Sequence, residues 1–310
     1  MESKRNYLTS FAFGIIGGLI AAVIVVWLWK PHATPEVVIT ADPSLRPLFE
    51  PIPIPTTLDF AGEVVPLQEA DVRERIDREL LVNTYWHSNT LLSLKRANRW
   101  FPLIEPILER NGVPNDFKYL ALIESGLTNV ISPAGATGYW QFMPGAAVEY
   151  GLEVNDQVDE RYHVEKSTEA ACKYLLEAKQ KFGTWTMAAA SYNMGMNGTT
   201  TQINRQRQGS YYDLMLVEET ARYVFRMLAM KEILSNLSEY GFHISPDDLY
   251  PPEEFVTEEV TADIPDLVAY AESKQITYRK LKLLNPWLRE TFLKVAEGKS
   301  YTLKLPRASN

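Results

Sequence analysis

One glutamate stands at an apolar position of a predicted helix. In the segment PNDFKYLALIESGL the helical pattern ends at Gly126, and Glu124 follows Phe117, Leu120 and Ala121 at the spacing of one helix face. Removal of a carboxyl group from water raises its pKa, which a general acid needs near neutral pH. A last-turn glutamate can also lean into solvent or pair with a cation. Spacing alone leaves both interpretations open.

Two further segments carry polar groups suited to a sugar. SPAGATGYWQFMP predicts a tight backbone that presents the ring of Trp140 and the amide of Gln141, with Met143 beside them. TWTMAAASYNMG predicts a helix that begins at a Thr184 cap and brings the hydroxyl of Tyr192 to the interior. This tyrosine is either a core residue with a satisfied hydroxyl or a catalytic group.

The elements that must position these residues are helices. From Val72 to about Asn236, helical segments alternate with Gly, Pro and Asn breaks, and the fold class is predicted as mainly α. The segment EETARYVFRMLAMKEIL predicts a helix whose buried stripe consists of Val217, Ala221, Val224 and Leu228. Glu219, Thr220 and Tyr223 either cap this helix or line a site.

Composition excludes several classes of protein. The 310 residues include 39 acidic and 31 basic ones, for a formal charge of -8, which offers no general attraction to nucleic acid. One cysteine excludes an intramolecular disulfide framework, and four scattered histidines without an HExxH pair argue against a metalloenzyme. No metal or organic cofactor is expected, and a neutral, polyhydroxylated substrate suits the charge balance.

The N-terminus predicts a membrane anchor and a tether. Residues 11–29, FAFGIIGGLIAAVIVVWLW, are uncharged and long enough to cross the hydrocarbon of a bilayer. With basic residues before them, residues 1–30 are interpreted as an uncleaved transmembrane anchor, and cleavage as a secretory signal is the alternative. Residues 31–70, with prolines at 51, 53 and 55, are expected to form an extended linker.

The motifs, taken in order, carry a family resemblance. ALIESGL, SPAGATGYWQFMP, AAASYNMG and EETARYV resemble the goose-lysozyme-like catalytic domain of the lytic murein transglycosylases, in particular their membrane-bound D group. The resemblance covers roughly residues 71–236. It implies a lysozyme-like (goose-type) helical catalytic domain, placed here at residues 71–245.

The resemblance also implies roles for individual residues. Glu124 matches the single catalytic acid/base of the family. The residues that match substrate-binding or groove-lining positions are Ser125, Ser132, Trp140, Gln141, Met143, Tyr192, Asn193 and Glu219. The chain departs from many members by having Tyr139 and Trp140 where they carry Leu and Met.

The C-terminal segment predicts a small α+β module. Residues 253–310 have the pattern strand, helix, helix, strand, and resemble a divergent LysM module, a peptidoglycan-binding unit. ADIPDL replaces the usual Gly-Asp-Thr-Leu opening. Glycan binding and a purely structural role are therefore both open.

The expected function is cleavage of the β-1,4 bond between N-acetylmuramic acid and N-acetylglucosamine in peptidoglycan, with a 1,6-anhydro product. The alternatives are a muramidase that uses water, which Asp156, Asp159 or another acidic residue would have to activate, and an inactive cell-wall-binding scaffold. The expected location is the bacterial inner membrane, single-pass, with the catalytic domain in the periplasm. Glycan strands and the membrane are the expected partners, and protein partners are not predicted.

Overall fold

The computed structural model describes residues 50–307, which lie almost entirely in the compact unit Pro51–Asn310. The predicted anchor at residues 11–29 and the first part of the predicted linker lie outside the described residues. Among the helices of residues 50–307, none combines the length and the hydropathy that a bilayer crossing requires.

The catalytic region is helical, and the mainly α prediction is confirmed. Its helices are α1 (Ala70–Tyr85), α2 (His87–Arg110), α3 (Lys118–Ser125), α4 (Pro144–Glu149), α5 (Val164–Phe182), α6 (Trp185–Met194), α7 (Met196–Gln206) and α8 (Glu218–Ser235). Single 3-10 turns occur at Asn115–Phe117, Glu160–Tyr162, Tyr211–Asp213 and Pro246–Asp248. Helix α8 packs against α1, α3 and α6, and α5 packs against α2 and α6.

Helix α3 follows its sequence signals. Phe117, Leu120 and Ala121 are fully buried, as the apolar spacing predicted. The helix ends at Gly126, whose φ of 59° is left-handed and therefore suits glycine. Glu124 therefore lies in the last turn of the helix, and its side chain is half-buried.

Helix α6 begins with two caps. The Thr184 hydroxyl accepts a hydrogen bond from the Met187 amide at 3.2 Å, which confirms the predicted cap. The Glu63 carboxylate accepts the amides of Trp185 at 2.6 Å and of Thr186 at 2.9 Å. A negative group at these unpaired amides stabilises the helix N-terminus.

The expected linker is wrong in its last part. A short antiparallel hairpin, β1 (Asp59–Phe60) and β2 (Glu63–Val64), lies against the helices. Its buried residues, together with those that flank it, are Leu58, Phe60, Val65 and Leu67. Apolar side chains at these positions gain more from burial than an extended tether could offer them. The helical region therefore has packed chain N-terminal to residue 71.

The prediction for one residue of the buried face of α8 is also wrong. Val217 is 69% exposed, because it is the N-cap of the helix and not part of its buried face. Val224 and Leu228, about two and three turns further on, are fully buried as expected.

The C-terminal module has the predicted order of elements. Strand β3 (Phe255–Val260) pairs antiparallel with β4 (Tyr301–Pro306), and α9 (Leu267–Ser273) and α10 (Tyr278–Leu284) lie between them in sequence. The core of this module includes Val158 and Tyr162 from the catalytic region. The module is therefore packed on the helical region and not merely tethered to it.

Candidate active site

Glu124 lies in a half-buried position between α3 and α8. The Tyr223 hydroxyl, on α8, donates a hydrogen bond to its carboxylate. Desolvation raises the pKa of Glu124 above its ordinary value; the Tyr223 hydrogen bond and the nearby Arg226 charge oppose this, and the Glu219 charge adds to it. The net effect is a carboxyl group that keeps its proton to a higher pH than a glutamate in water.

Tyr223 is the residue that sequence reasoning undervalued. It is 1% exposed, and burial raises its pKa well above the ordinary value, so the phenol remains a hydrogen-bond donor at neutral pH. The one available signal was its spacing: Glu219 and Tyr223 are four residues apart and share a helix face. Arg226, on the next turn, donates to the Ile123 carbonyl at 3.0 Å and so ties α8 to α3 beside Glu124.

The loop that follows α3 is attached to the Glu124 region by two hydroxyls. The Ser125 hydroxyl lies 3.0 Å from the Ala121 carbonyl oxygen and 2.9 Å from the Tyr139 carbonyl oxygen, and its single proton is shared between them. Tyr192 donates to the Trp140 carbonyl at 2.8 Å, so the prediction of an inward-pointing hydroxyl is confirmed. Both hydroxyls hold the loop backbone.

Arg161 fixes both ends of the same loop. Its guanidinium is 10% exposed and donates to the Gly135 carbonyl at 3.1 Å and the Phe142 carbonyl at 3.2 Å. Its remaining N–H groups reach the Asp159 carboxylate at 2.9 Å and 2.7 Å. A Cβ on Gly138 would lie 2.0 Å from the Arg161 carbonyl oxygen, which explains a glycine there.

The C-terminal module contacts the segment that carries Asp159 and Arg161 directly. The Asp159 amide donates to the Trp287 carbonyl at 2.9 Å, and the Arg289 amide donates to the Gln157 carbonyl at 2.8 Å. The loop near Glu124 is thus connected through Arg161 and Asp159 to the C-terminal module.

The expectation that Trp140 presents its ring to a sugar is wrong. The ring is fully buried, and its Nε1 donates to the Thr168 hydroxyl at 2.8 Å. A tight glycine-containing turn can place a ring on either side of the backbone, and here the hydrophobic gain of burying an indole decided the side. Trp140 supports the loop from inside through its ring.

The other predicted groove residues lie at different depths. Gln141 has a φ of 48°, and its amide donates to the Val130 carbonyl at 3.1 Å and the Gly138 carbonyl at 2.8 Å, so it braces the turn. Met143 is 45% exposed. The half-buried Ser132 accepts from the Ala136 amide at 3.0 Å within the same loop.

Asn193 and Glu219 connect α6 to α8. The Asn193 amide donates to the Glu219 carboxylate at 3.2 Å, and its carbonyl accepts from the Thr220 hydroxyl at 2.7 Å. Glu219 is exposed, and its negative charge contributes to raising the pKa of Glu124. The structure therefore gathers Glu124, Tyr223, Arg226 and Glu219 at one place where α3, α6 and α8 meet.

A cleft of about 600 Å³ opens beside this place, between α1, α2, α3 and α8. Ile123 and Gly126, on either side of Glu124 in sequence, form part of its wall, and Glu219 lies at its edge. Glu124 itself does not line it. Within residues 50–307, no group of three or more His, Cys, Asp or Glu side chains is placed to hold a metal ion.

Comparison with known proteins identifies two domains in the chain. Residues 102–215 match the transglycosylase SLT domain, and residues 256–309 match the soluble lytic transglycosylase C-terminal LysM-like domain. The chain is 29% identical over 239 residues to the membrane-bound lytic murein transglycosylase D of Escherichia coli strain K12, and equally to that of strain CFT073. The aligned region is 75% of this chain and 51% of each relative, so the chain spans about half the length of these relatives. The chain therefore carries a transglycosylase SLT domain and a C-terminal LysM-like domain of the soluble lytic transglycosylase type.

Proposed function

We propose that this chain is a peptidoglycan lytic transglycosylase with Glu124 as its acid and base. The observation that carries the proposal is the Glu124 carboxyl group, whose pKa is raised by desolvation and which accepts a hydrogen bond from Tyr223. The SLT domain match and the D-type relatives support the same reaction class.

In the first step, protonated Glu124 gives its proton to the glycosidic oxygen as the bond from that oxygen to C1 of N-acetylmuramic acid breaks. In the second step, the carboxylate removes the proton of the C6 hydroxyl while O6 forms a bond to C1. The products are a 1,6-anhydromuramic end and a free hydroxyl on the leaving sugar. Because the attacking hydroxyl belongs to the substrate, a second carboxylate is not needed.

Tyr223 serves both protonation states of Glu124. Its hydroxyl donates to the carboxyl oxygen that does not carry the proton, and it stabilises the carboxylate after transfer. Arg226 adds a positive charge that limits the rise in the pKa of Glu124. Both residues therefore oppose the rise that desolvation gives to the pKa of Glu124, and they favour the carboxylate form that the second step uses.

A hydrolase that uses water is the second candidate. It would need a base near Glu124, and the sequence alone left Asp156 and Asp159 open for that role. Asp159 is bound to Arg161, and Asp156 is exposed. Glu219 is the carboxylate whose charge acts on Glu124, so it is the base that a hydrolase would use.

Product analysis separates these reactions. The purified full chain is incubated with isolated cell-wall sacculi, and the soluble fragments are identified by mass spectrometry. Anhydromuropeptides support the transglycosylase, reducing muropeptides support the hydrolase, and an undigested wall supports the inactive scaffold.

The variant Glu124→Gln tests the assignment of the acid. The amide keeps the volume and can still accept the Tyr223 hydrogen bond, so the fold should persist, while turnover should fall by at least about 10² to 10⁴-fold. Glu219→Gln separates the two reactions, because it removes a carboxylate that acts on Glu124 and leaves the proton donor in place. It should reduce activity far less than Glu124→Gln does in a transglycosylase, and about as much as Glu124→Gln does in a hydrolase.

We also propose single-pass attachment to the bacterial inner membrane through residues 11–29, with the catalytic domain in the periplasm. The uncharged run supports this proposal, and the relatives carry "membrane-bound" in their names. The protein should fractionate with the inner membrane. A mature chain that starts near residue 30 would contradict the uncleaved anchor.

The C-terminal module, residues 253–310, is proposed to help hold the enzyme on glycan strands. Its LysM-like match supports the proposal. Its packing on the catalytic region gives it a structural role as well, because Val158 and Tyr162 lie in its core. Retention of the full chain on sacculi, compared between wild type and variants of exposed module residues, measures the binding role.

A further inference from the structure

The cleft between α1, α2, α3 and α8 contains an aromatic ring that the fold does not use. Trp86, at the corner between α1 and α2, is 57% exposed and lines the cleft. Within residues 50–307 it is the most exposed of the Phe, Tyr and Trp residues. Trp86 also makes no aromatic or cation–π contact within that range. Exposure of an apolar indole ring to water is unfavourable. In a cleft, such a ring offers a flat face on which a ligand can pack.

This ring matters because Trp140 is unavailable. A sugar ring presents C–H groups on one face, which pack on an aromatic plane. Trp140 lies inside the core with its Nε1 occupied, so it cannot supply that plane. Trp86 is the tryptophan that remains free to do so beside Glu124.

The polar groups of the cleft suit hydroxyl and amide partners. Asn83 and Asn89 both line it. The Asn83 amide donates to the Glu79 carbonyl at 2.8 Å, while the half-buried Asn89 side chain makes no hydrogen bond within the described part of the chain. Asn89 therefore has donor and acceptor capacity left for a ligand.

The charges of the cleft disfavour an anionic ligand. Three carboxylates, those of Glu79, Glu218 and Glu219, line it with two arginines. Arg222 is held by the buried Glu79 at 2.6 Å and lies 3.7 Å from Glu218, and Arg226 donates to a carbonyl. Arg78 also pairs with Glu218 at 3.0 Å, so the arginines around the cleft already have partners within the described part of the chain. An acidic peptide stem would have to compete with these partners, whereas an uncharged sugar could donate hydroxyl hydrogen bonds to the carboxylates.

From these observations we infer that the cleft is a subsite for an uncharged N-acetylhexosamine unit of the glycan strand, with Trp86 as its stacking platform and Asn89 as its amide partner. The inference rests on the proposed function for its substrate class. The volume of about 600 Å³ lies within the range of about 300–1,000 Å³ that small-ligand sites have.

The test measures binding without turnover. Full-length protein carrying Glu124→Gln is purified in detergent and titrated calorimetrically with N-acetylglucosamine oligomers of two, four and six units, which carry no peptide stem. Trp86→Ala should weaken binding of the hexamer about ten-fold, Trp86→Phe less, and Asn89→Leu about three-fold. Leu176→Ala, at a 39% exposed position on α5 outside the cleft, is the control and should bind like the parent.

A kinetic readout complements the titration. In the chain with Glu124 intact, Trp86→Ala should raise KM on solubilised glycan strands about ten-fold and change kcat little, because Trp86 binds the strand without touching the reacting bond. If Trp86 only stabilised the fold, Trp86→Ala would reduce the amount of folded enzyme. The apparent kcat would then fall and KM would not change. If Trp86→Ala does not fold, Asn89→Leu and Trp86→Phe carry the same test.

Three results would overturn the inference: unchanged hexamer binding in both Trp86→Ala and Asn89→Leu, no oligomer binding by the parent, or an effect of Trp86→Ala only on fragments that bear peptide stems. Failure of the proposed function has a different signature. It would show as reducing or absent products from the wild-type chain, whatever the oligomer affinities are.

Discussion

Removal of the Arg161 guanidinium should damage both stability and catalysis, for separable reasons. Arg161 and Asp159 form an ion pair in which each side chain is only 10% exposed. In Arg161→Met the Asp159 carboxylate stays buried without its cation, and two loop carbonyls, those of Gly135 and Phe142, lose their donor. Breaking a buried pair in this way typically costs about 3–5 kcal/mol of unfolding free energy.

The loss of activity should exceed what the lost stability explains. Arg161 fixes the loop whose carbonyls are bound by Ser125 and Tyr192 next to Glu124. A displacement of about 1 Å in such a positioning element can reduce turnover by about 10²-fold. Arg161→Lys should recover part of the stability through its charge but little of the activity, because an ammonium group cannot make the four side-chain contacts of the guanidinium.

The measurements are urea unfolding at pH 7 and kcat/KM on sacculi under conditions where each variant remains folded. The double variant Arg161→Met with Asp159→Asn removes the unpaired charge, so it should be more stable than Arg161→Met by about 1–3 kcal/mol. Arg110→Met is the matched control, because Arg110 pairs with Glu169 at the surface and should contribute less than about 1 kcal/mol. A cost below about 1 kcal/mol for Arg161→Met, with unchanged kcat/KM, would refute the reasoning.

Three further predictions follow from single contacts. Tyr223→Phe removes a donor that lowers the pKa of Glu124, so the falling limb of the pH–rate profile should move to higher pH; an unchanged limb would contradict this. Burial acts to raise the pKa of Glu63, but hydrogen bonds from α6 lower it overall, so its stabilisation is present above the ordinary glutamate pKa and lost as the pH falls through the lowered value. Glu63→Gln should therefore cost about 1–2 kcal/mol at pH 7 in chemical unfolding, and equal stabilities of variant and wild type at pH 7 would argue against the cap. Gly138→Ala should cost several kcal/mol or prevent folding, measured by yield and melting temperature, because its Cβ would meet the Arg161 carbonyl oxygen; a normal melting temperature would show that the loop can move away.

Local signals in the sequence determined the helices and their ends. The apolar spacing around Glu124, the Gly126 stop and the Thr184 cap all depend on residues within a few positions of one another, and the structure has each of them. The alternating pattern of Tyr301, Leu303 and Leu305 likewise predicts a strand with one buried face, which is what β4 has. Interactions of this kind need no knowledge of the rest of the chain.

The surroundings of Glu124 could be settled only by the tertiary structure. Its hydrogen-bond partner Tyr223 lies 99 residues away in sequence, and Arg226 reaches the same place from one turn further along α8. The pKa of Glu124 depends on which helix covers it, and no pattern within α3 contains that information. Trp140 shows the same limit, because a ring beside a glycine turn has two sides available to it.

The relation between the two matched domains was also beyond the sequence. The pattern of residues 253–310 predicts a module with its own strands and helices, but Val158 and Tyr162, which complete its core, come from the helical region. Arg161 and Asp159 are two residues apart, yet what they hold together, the loop from Gly135 to Phe142 and the Trp287 carbonyl, comes from distant parts of the chain. The physical reason is common to these cases: periodicity specifies which face of an element is apolar, whereas burial, pairing and pKa are set by the neighbours that the folded chain brings to that face.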